Sequence, residues 1–245
     1  MKNRIHILGV PLDPISFDDA VRTLQSYAQS TAQHHIMTPN PEMIVEAQKN
    51  PDFMALLQTT SLNLPDGAGL LLVARFLGKR IPQRVTGTDI VETLCEQRDI
   101  GPIFFLGSAP GIAEKASMTL KAKNPSLSVA GCFSGSPAES DAKDIVNRIH
   151  RSGARILFVA FGAPIQDLWI ARHLPKMPNI TLAMGIGGAF DFIAGERLRA
   201  PRWMQSIGLE WLWRLIQEPH RIIRILRAVI VFPLLVLRQR NRPSM

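Results

Sequence analysis

A run of six apolar residues, Ile156-Leu157-Phe158-Val159-Ala160-Phe161, ends in the loop Gly162-Ala163-Pro164, and a helical pattern follows from Ile165 to Leu174. Two more segments have the same order: Pro102–Leu106 before the loop Gly107–Gly111, and Thr181–Met184 before the loop Gly185–Gly188. Short continuous apolar runs are typical of strands that are buried on both faces. Strands that alternate with helices indicate βαβ units, so the sequence predicts an α/β fold with a mostly parallel sheet and flanking helices.

The first hundred residues carry weaker signals of the same kind. We predict a first strand at Ile5–Val10 and short strands at His35–Met37 and Leu62–Leu64. Ser16 is a candidate N-cap of one helix, and Pro41 is a candidate first residue of another. These segments would add strands and helices to the same sheet.

The charge is divided unevenly along the chain. The 245 residues have a net charge of +8, and residues 197–245 account for all of it with ten arginines and two glutamates. We therefore predict a neutral α/β domain over residues 1–196 and a helical, basic and apolar C-terminal appendage over residues 197–245. An appendage of this kind suggests an anionic surface as its partner.

The appendage has a helical pattern that admits several interpretations. Residues Trp203 to Glu218 predict one amphipathic helix that ends at Pro219. Residues 228–237 are apolar but too short to span a bilayer, which needs about 20 residues, and we expect Pro233 to interrupt any helix there. Arginine-rich helices bind nucleic acid or lie on anionic lipid. The tryptophans and aliphatic residues favour lipid, and homo-oligomerisation through the appendage is the structural alternative.

Polar residues and glycines follow the predicted strands, and parallel sheets bind ligands at the carboxyl ends of their strands. The candidates at these positions are Thr38, Asn40, Asp66, Gly107, Gln166, Gly187 and Asp191. The glycine loops could present backbone N–H groups to a diphosphate, or could simply form tight turns. Asp66 could be a turn carboxylate, which its spacing alone favours, or a general base, with Asp191 as the second candidate for that role.

The sequence favours neither a metal site nor a resident cofactor. It contains no Asp-x-Asp, and its histidines lack metal-ligand spacing. We expect arginines, backbone N–H groups or helix dipoles to neutralise any bound diphosphate. Cys95 and Cys132 lie among apolar residues and suit a reducing compartment. The apolar run Ile5–Leu12 is short and lacks a cleavage site, so we do not expect a signal peptide.

Five motifs follow one another along the chain: Thr38–Ile44; Pro65–Gly69 followed by Arg84–Asp89; Gly162–Asp167; Gly185–Asp191; and Arg199–Pro201 followed by Gly208–Leu215. In this order, and over about the whole chain, they resemble the bacterial WecG/TagA/CpsF glycosyltransferases. The family usually has glutamate where this chain has Asp167, which is a small departure.

The resemblance implies a Rossmann-like, inverting, metal-independent enzyme without a cofactor. Such an enzyme moves a sugar from a UDP-sugar to an undecaprenyl-diphosphate-linked sugar in teichoic acid, common antigen or exopolysaccharide synthesis. The sugar could be N-acetylmannosamine-like, its uronic acid or a hexose. The implied residues are Asp66 as the catalytic base, Thr38, Asn40, Arg84 and Gln166 in the pocket, and Arg214, Arg221 and Arg224 at the donor diphosphate.

The resemblance also implies a cytoplasmic protein that lies on the inner face of the plasma membrane. Its appendage would be both the membrane anchor and part of the active site, and nucleic acid is not an expected partner. Two other classes stay open from the residues themselves: a nicotinamide- or flavin-dependent oxidoreductase on the same kind of sheet, and a non-enzymatic binding module with a basic tail.

Overall fold

The computed structural model describes residues 4–240, which contain eight strands. They are β1 (Ile5–Ile7), β2 (Val10–Leu12), β3 (His34–Met37), β4 (Leu62–Asn63), β5 (Ile103–Gly107), β6 (Val129–Phe133), β7 (Ile156–Ala160) and β8 (Leu182–Gly185). Six of them form one sheet in the order β4-β3-β8-β7-β5-β6, and every neighbouring pair is parallel. The predicted α/β fold with a parallel sheet is confirmed.

The predicted first strand, Ile5–Val10, is wrong, because the segment is an antiparallel hairpin outside the parallel sheet. Leu8 and Gly9 have φ values of 50° and 79°. Two successive positive φ values are those of a two-residue hairpin turn, so the chain reverses where the apolar run looks continuous. Asn63 Nδ2 donates a hydrogen bond of 3.0 Å to the carbonyl of Pro11, which ties the hairpin to the edge strand β4.

Nine α-helices precede the appendage within the described residues. They are α1 (Phe17–Gln29), α2 (Pro41–Ala47), α3 (Pro51–Thr59), α4 (Ala68–Phe76), α5 (Gly87–Glu96), α6 (Ile112–Lys123), α7 (Glu139–Arg151), α8 (Ile165–His173) and α9 (Ala189–Ile193). As predicted, Ser16 caps α1 by accepting a hydrogen bond from the Asp19 N–H, and Pro41 is the first residue of α2.

The helices cover both faces of the sheet. Helices α1, α5, α6 and α9 pack on one face, over a core that contains Phe105, Phe158 and Phe190. Helices α7 and α8 cover the other face over a second cluster that includes Trp169, and α2 and α3 lie beside α8. The loops after the strands therefore converge at one edge of a sheet that is buried on both sides.

The appendage is helical, but its breaks differ from the prediction. It contains α10 (Arg202–Ser206), α11 (Glu210–Gln217), α12 (Ile222–Leu226), a π-helical turn (Arg227–Val231) and α13 (Phe232–Arg240). The single helix predicted from Trp203 to Glu218 is wrong because the chain turns at Gly208, whose φ is 79°. A Cβ on Gly208 would lie 2.6 Å from the Ala68 Cβ, so a larger residue would not fit where the appendage crosses α4.

The expected interruption at Pro233 is also wrong. The chain stays helical from Ile222 to Arg240. Pro233 follows the π-helical turn Arg227–Val231, whose i→i+5 hydrogen bonds already replace the α-helical pattern just before the proline.

The appendage is packed into the body of the protein. Phe232 is fully buried, and with Val236 it belongs to one hydrophobic cluster with Met43 of α2 and Leu70 of α4. None of the helices within residues 4–240 is both long enough and apolar enough to cross a membrane. The division of the chain at residue 196 stays a prediction, and residues 241–245 of the predicted appendage lie outside the described part.

Candidate active site

A cavity of about 460 Å³ opens beyond the carboxyl ends of β3 and β4, between α4 and the helices of the appendage. Six of the predicted site residues line it: Asn40, Asp66, Arg84, Arg214, Arg221 and Arg224. These residues are up to 184 positions apart, Asn40 to Arg224, and the fold brings them around one space.

Backbone hydrogen bonds fix the position of Asp66 at the end of β4. The Asp66 N–H donates to the carbonyl of Pro39 at 2.9 Å, which continues the pairing between β3 and β4 beyond the strands. The Val85 N–H donates to the carbonyl of Pro65, also at 2.9 Å. The first bond holds Asp66 beside the exit of β3, and the second holds it beside the segment that carries Arg84.

The surroundings of Asp66 favour its protonated form. Burial raises the pKa of its carboxyl group from 3.8 to about 6; the Arg84 guanidinium opposes this shift and the Glu210 carboxylate adds to it. The side chain is half-buried and keeps access to the cavity. A carboxylate with a pKa close to neutrality is a better proton acceptor than a free aspartate, so this position suits a general base better than a solvated turn.

The appendage holds Arg84 through Glu210. Arg84 Nη1 donates to Glu210 Oε2 at 2.5 Å, and both side chains are largely buried. Arg199 lies beside this pair, with Nη1 2.5 Å from Asp89 Oδ1 and Nε 4.0 Å from Glu210 Oε1. Burial opposes ionisation of Asp89, but hydrogen bonds from Arg199 and Thr86 outweigh it and lower its pKa. The four charged groups join the appendage to α5 at the rim of the cavity.

The three predicted arginines of the appendage reach the cavity, each with a neighbour of its own. The Arg224 Nε donates to Glu42 Oε1 at 2.5 Å. Arg221 forms an ion pair of 3.0 Å with Glu218, and the Arg214 guanidinium lies over the Phe192 ring, 5.0 Å from its centroid. Together with Arg84 they line the cavity with four guanidinium groups, which is an arrangement suited to phosphate oxygens.

Asn40 and Thr38 differ in their positions. Asn40 lines the cavity, and its Oδ1 also accepts a hydrogen bond of 3.0 Å from the Met43 N–H, so it is the N-cap of α2. Thr38 is half-buried and is not part of the cavity wall; its Oγ1 lies close to Gly87 at the start of α5. The capping bond gives Asn40 a structural role that the sequence analysis did not anticipate.

The four remaining candidates lie apart from the cavity, where β5, β7 and β8 end. They are Gly107, Gln166, Gly187 and Asp191. Gln166 Oε1 accepts hydrogen bonds of 3.0 Å from the N–H groups of Gly162 and Gly187, so one buried side chain joins two loops. Gly107 has a φ of 101°, and a Cβ there would lie 2.8 Å from the carbonyl carbon of Ala160. Close packing therefore accounts for the glycine at position 107.

Ion pairs connect Asp191 with the cavity. Asp191 Oδ1 lies 3.7 Å from Arg197 Nε, and Arg197 Nη1 lies 2.9 Å from Glu218 Oε1. Glu218 in turn contacts Arg221, which lines the cavity. The ends of β5, β7 and β8 and the cavity therefore share one charged network.

The sequence analysis missed the acidic partners of the arginines, Glu42, Glu210 and Glu218. The last two are the only acidic residues of positions 197–245. These two glutamates stand among ten arginines, and this contrast is the signal that could have identified them. Within residues 4–240 there is no group of three or more His, Cys, Asp or Glu side chains that could hold a metal ion.

Comparison with known proteins gives two findings. The model of the glycosyl transferase WecG/TagA/CpsF family matches residues 5–245. A protein of Bacillus spizizenii, named N-acetylglucosaminyldiphosphoundecaprenol N-acetyl-beta-D-mannosaminyltransferase, is 30% identical over 224 residues, which cover 88% of this chain and 86% of the relative.

Proposed function

The chain belongs to the glycosyl transferase WecG/TagA/CpsF family, and on this premise we propose that it moves an N-acetylmannosamine-like sugar from a UDP-sugar to a polyprenyl-diphosphate-linked sugar. The relative's name supports both the sugar and the lipid-diphosphate acceptor. One observation carries the proposal: a half-buried carboxylate with a raised pKa shares a cavity with four arginines. Family membership favours this activity over a nicotinamide- or flavin-dependent oxidoreductase and over a non-enzymatic binding module.

Asp66 is the general base of the proposed reaction. The acceptor hydroxyl oxygen attacks the anomeric carbon while the bond from that carbon to the UDP oxygen breaks, so the configuration inverts. The hydroxyl proton passes to Asp66, and UDP leaves with its negative charge. A base with a pKa of about 6 is ionised at neutral pH yet holds the proton better than an ordinary aspartate.

Arginines provide the positive charge that the leaving UDP needs. Arg84, Arg214, Arg221 and Arg224 surround the cavity, and preorganised charge is commonly the largest contribution to catalysis of this kind. A diphosphate would replace Glu42 and Glu218 as the partner of Arg224 and Arg221. We propose on this basis that no metal ion and no cofactor take part.

The nucleotide would lie toward the ends of β5, β7 and β8. From β5 the chain continues to β6 on one side of the sheet, and from β7 it continues to β8 on the other side. Open parallel sheets bind ligands between two strands whose connections lead in opposite directions. Gly107, Gly187, Gln166 and Asp191 border this position, and the network through Arg197 and Glu218 leads from it to the cavity. A donor that extends from this edge would present its diphosphate to Arg221.

A screen of UDP-sugars with a water-soluble N-acetylglucosamine diphosphate ester as acceptor tests the proposal. We expect UDP-N-acetylmannosamine to give a disaccharide diphosphate and UDP, and we expect the rate to persist in EDTA. Asp66→Asn should lower turnover by about 10²–10⁴-fold, which is the usual contribution of a general base, while UDP binding stays within several-fold of the wild type. Loss of activity in EDTA with recovery in magnesium would contradict metal independence, and near-normal turnover of the variant would transfer the role of base to Asp191.

A further inference from the structure

The cavity has two chemically different ends. Its polar end contains Asp66 and the four arginines described above. Six further lining side chains have no polar atom and come from α4 and residues 225–232, where Val73 packs in the same hydrophobic cluster as Phe232; we call them the apolar end: Leu72, Val73, Ile225, Ala228, Val229 and Phe232. A ligand that fills the whole space must therefore carry negative charge at one end and an apolar group at the other.

Two segments form the apolar end, α4 and the continuous helical stretch that runs from α12 to α13, and each has a side chain that is also exposed at the surface. Leu72 and Val73 come from α4, and Ala228 and Val229 come from the π-helical turn of the appendage. Leu72 is 68% exposed and Val229 is 41% exposed, although both contact the cavity. Isolated π-helical turns occur frequently at functional sites, and this one places two small apolar residues in the cavity wall.

We propose that this apolar end binds the first isoprene units of the acceptor's polyprenyl chain, an inference that rests on the proposed function. The charge pattern selects this occupant, since a polyprenyl diphosphate joins an anionic head directly to a branched hydrocarbon chain. The base of a nucleotide is a poorer match, because its N–H and carbonyl groups would lose their hydrogen bonds to water against these six side chains. Leu72 and Val229 are exposed as well as part of the cavity lining, so the rest of the chain can leave the cavity beside them.

The proposal predicts a dependence on chain length in the absence of any membrane. Each buried CH₂ group is worth about fourfold in binding. A two-isoprene chain that is partly covered by the cavity should therefore raise kcat/KM by at least about tenfold over a methyl group. Both acceptors carry the same N-acetylglucosamine diphosphate head and are used below the concentration at which they form micelles.

Three variants test the location of the chain. Leu72→Asn and Val229→Asn each place a polar group in the apolar end, and the exposure of both residues makes them tolerant of substitution. Ile230→Asn is the matched control, because Ile230 follows Val229, is 50% exposed and does not line the cavity. The measured quantity is the ratio of kcat/KM for the two-isoprene acceptor to that for the methyl acceptor. We expect the first two variants to lower this ratio toward one and the control to keep the wild-type ratio.

The outcomes separate this inference from the proposed function. If neither acceptor is glycosylated by the wild-type protein, the proposed function fails. If both acceptors are glycosylated with a ratio near one, the function stands and the apolar end does not bind the chain. An unchanged ratio in Leu72→Asn and Val229→Asn, or an equal loss in Ile230→Asn, also overturns the inference, because the benefit of the chain would then arise elsewhere on the surface.

Discussion

At the scale of single residues, the environment of Asp66 makes a prediction about stability. A carboxyl group whose pKa is raised from 3.8 to about 6 by folding binds more protons in the folded state, so stability falls as pH rises between these values. Asp66→Asn should therefore raise the free energy of unfolding at pH 8 by on the order of 1 kcal/mol, and should have little effect at pH 4. We discount the full linkage of about 1.4 kcal/mol per pH unit because the side chain retains solvent contact.

Urea denaturation of both proteins at the two pH values measures this difference. An equal effect of the substitution at pH 4 and pH 8 would show that it acts through packing and not through the charge of Asp66. A variant that is more stable and inactive at pH 8 is the behaviour expected of a functional site, where a charge is held at a cost to stability.

Glu210 offers a second prediction at this scale, because its charge raises the pKa of Asp66 while Arg84 lowers it. Glu210→Gln removes that charge and also releases Arg84 from its ion pair, and both changes favour ionised Asp66. The acidic limb of the profile of kcat/KM against pH, which we expect near pH 6 in the wild type, should move to lower pH.

The matched control is Glu139→Gln, which removes an exposed carboxylate that pairs with Arg172 and is not among the charges acting on Asp66. Its acidic limb should stay at the wild-type position. A shift of the Glu210→Gln limb to higher pH would mean that Asp66 is not the group that titrates.

At the scale of elements, Gly185 at the end of β8 is predicted to be irreplaceable. A Cβ there would lie 2.3 Å from Asp167 Oδ1 and 2.6 Å from Gln166 Nε2. Gly185→Ala must therefore displace the start of α8 and disturb the bonds from Gln166 to the Gly162 and Gly187 loops. Overpacking of this kind costs about 1–3 kcal/mol, and turnover should fall with it.

Gly188→Ala is the control for this substitution in the same loop. Gly188 has a φ of −84°, which alanine adopts without strain. A Cβ at this position would lie 3.6 Å from its nearest neighbour, Asp191 Oδ2. Its unfolding free energy should change by about 0.5 kcal/mol or less. Equal stability of the two variants in urea would contradict the close packing of α8 against β8.

The elements also show how far the sequence could predict the fold and the site. Continuous apolar runs with glycine loops identify β5, β7 and β8, because strands buried on both faces need no polar alternation. The same rule fails at Leu8 and Gly9. The chain turns there through two positive φ values, and since neither residue is polar, the apolar run looks unbroken in the sequence. The ion pairs Arg84–Glu210 and Arg224–Glu42 join residues 126 and 182 positions apart, and only the packing of the appendage determines which charges meet.

At the scale of the whole molecule, the appendage combines two surfaces on one helical segment. Phe232 and Val236 face the body of the protein, where they are buried. The opposite surface carries exposed apolar residues at intervals of three and four positions: Ile223, Leu226, Ile230, Leu234 and Leu237. Deletion after Glu196 would remove the buried side chains together with the exposed ones, so it would disturb the hydrophobic cluster as well as any membrane contact. Substitutions on the exposed surface separate the two effects.

We predict that this exposed surface attaches the protein to anionic membranes. Burial of aliphatic side chains in the headgroup region adds to the attraction of nearby arginines, each worth about 1 kcal/mol at an anionic surface. Ile223→Asn, Leu234→Asn and Leu237→Asn combined should weaken sedimentation with vesicles of anionic lipid at least tenfold, and added salt should weaken wild-type binding as well. Met118→Asn, which removes an exposed apolar side chain from α6, should bind vesicles as the wild type does.

Because none of the three substituted residues lines the cavity, turnover of the water-soluble acceptor should persist in the triple variant. Undiminished vesicle binding by that variant would place the anchor on another surface, whereas loss of soluble-acceptor turnover would show that the exposed and buried surfaces of the appendage do not act independently.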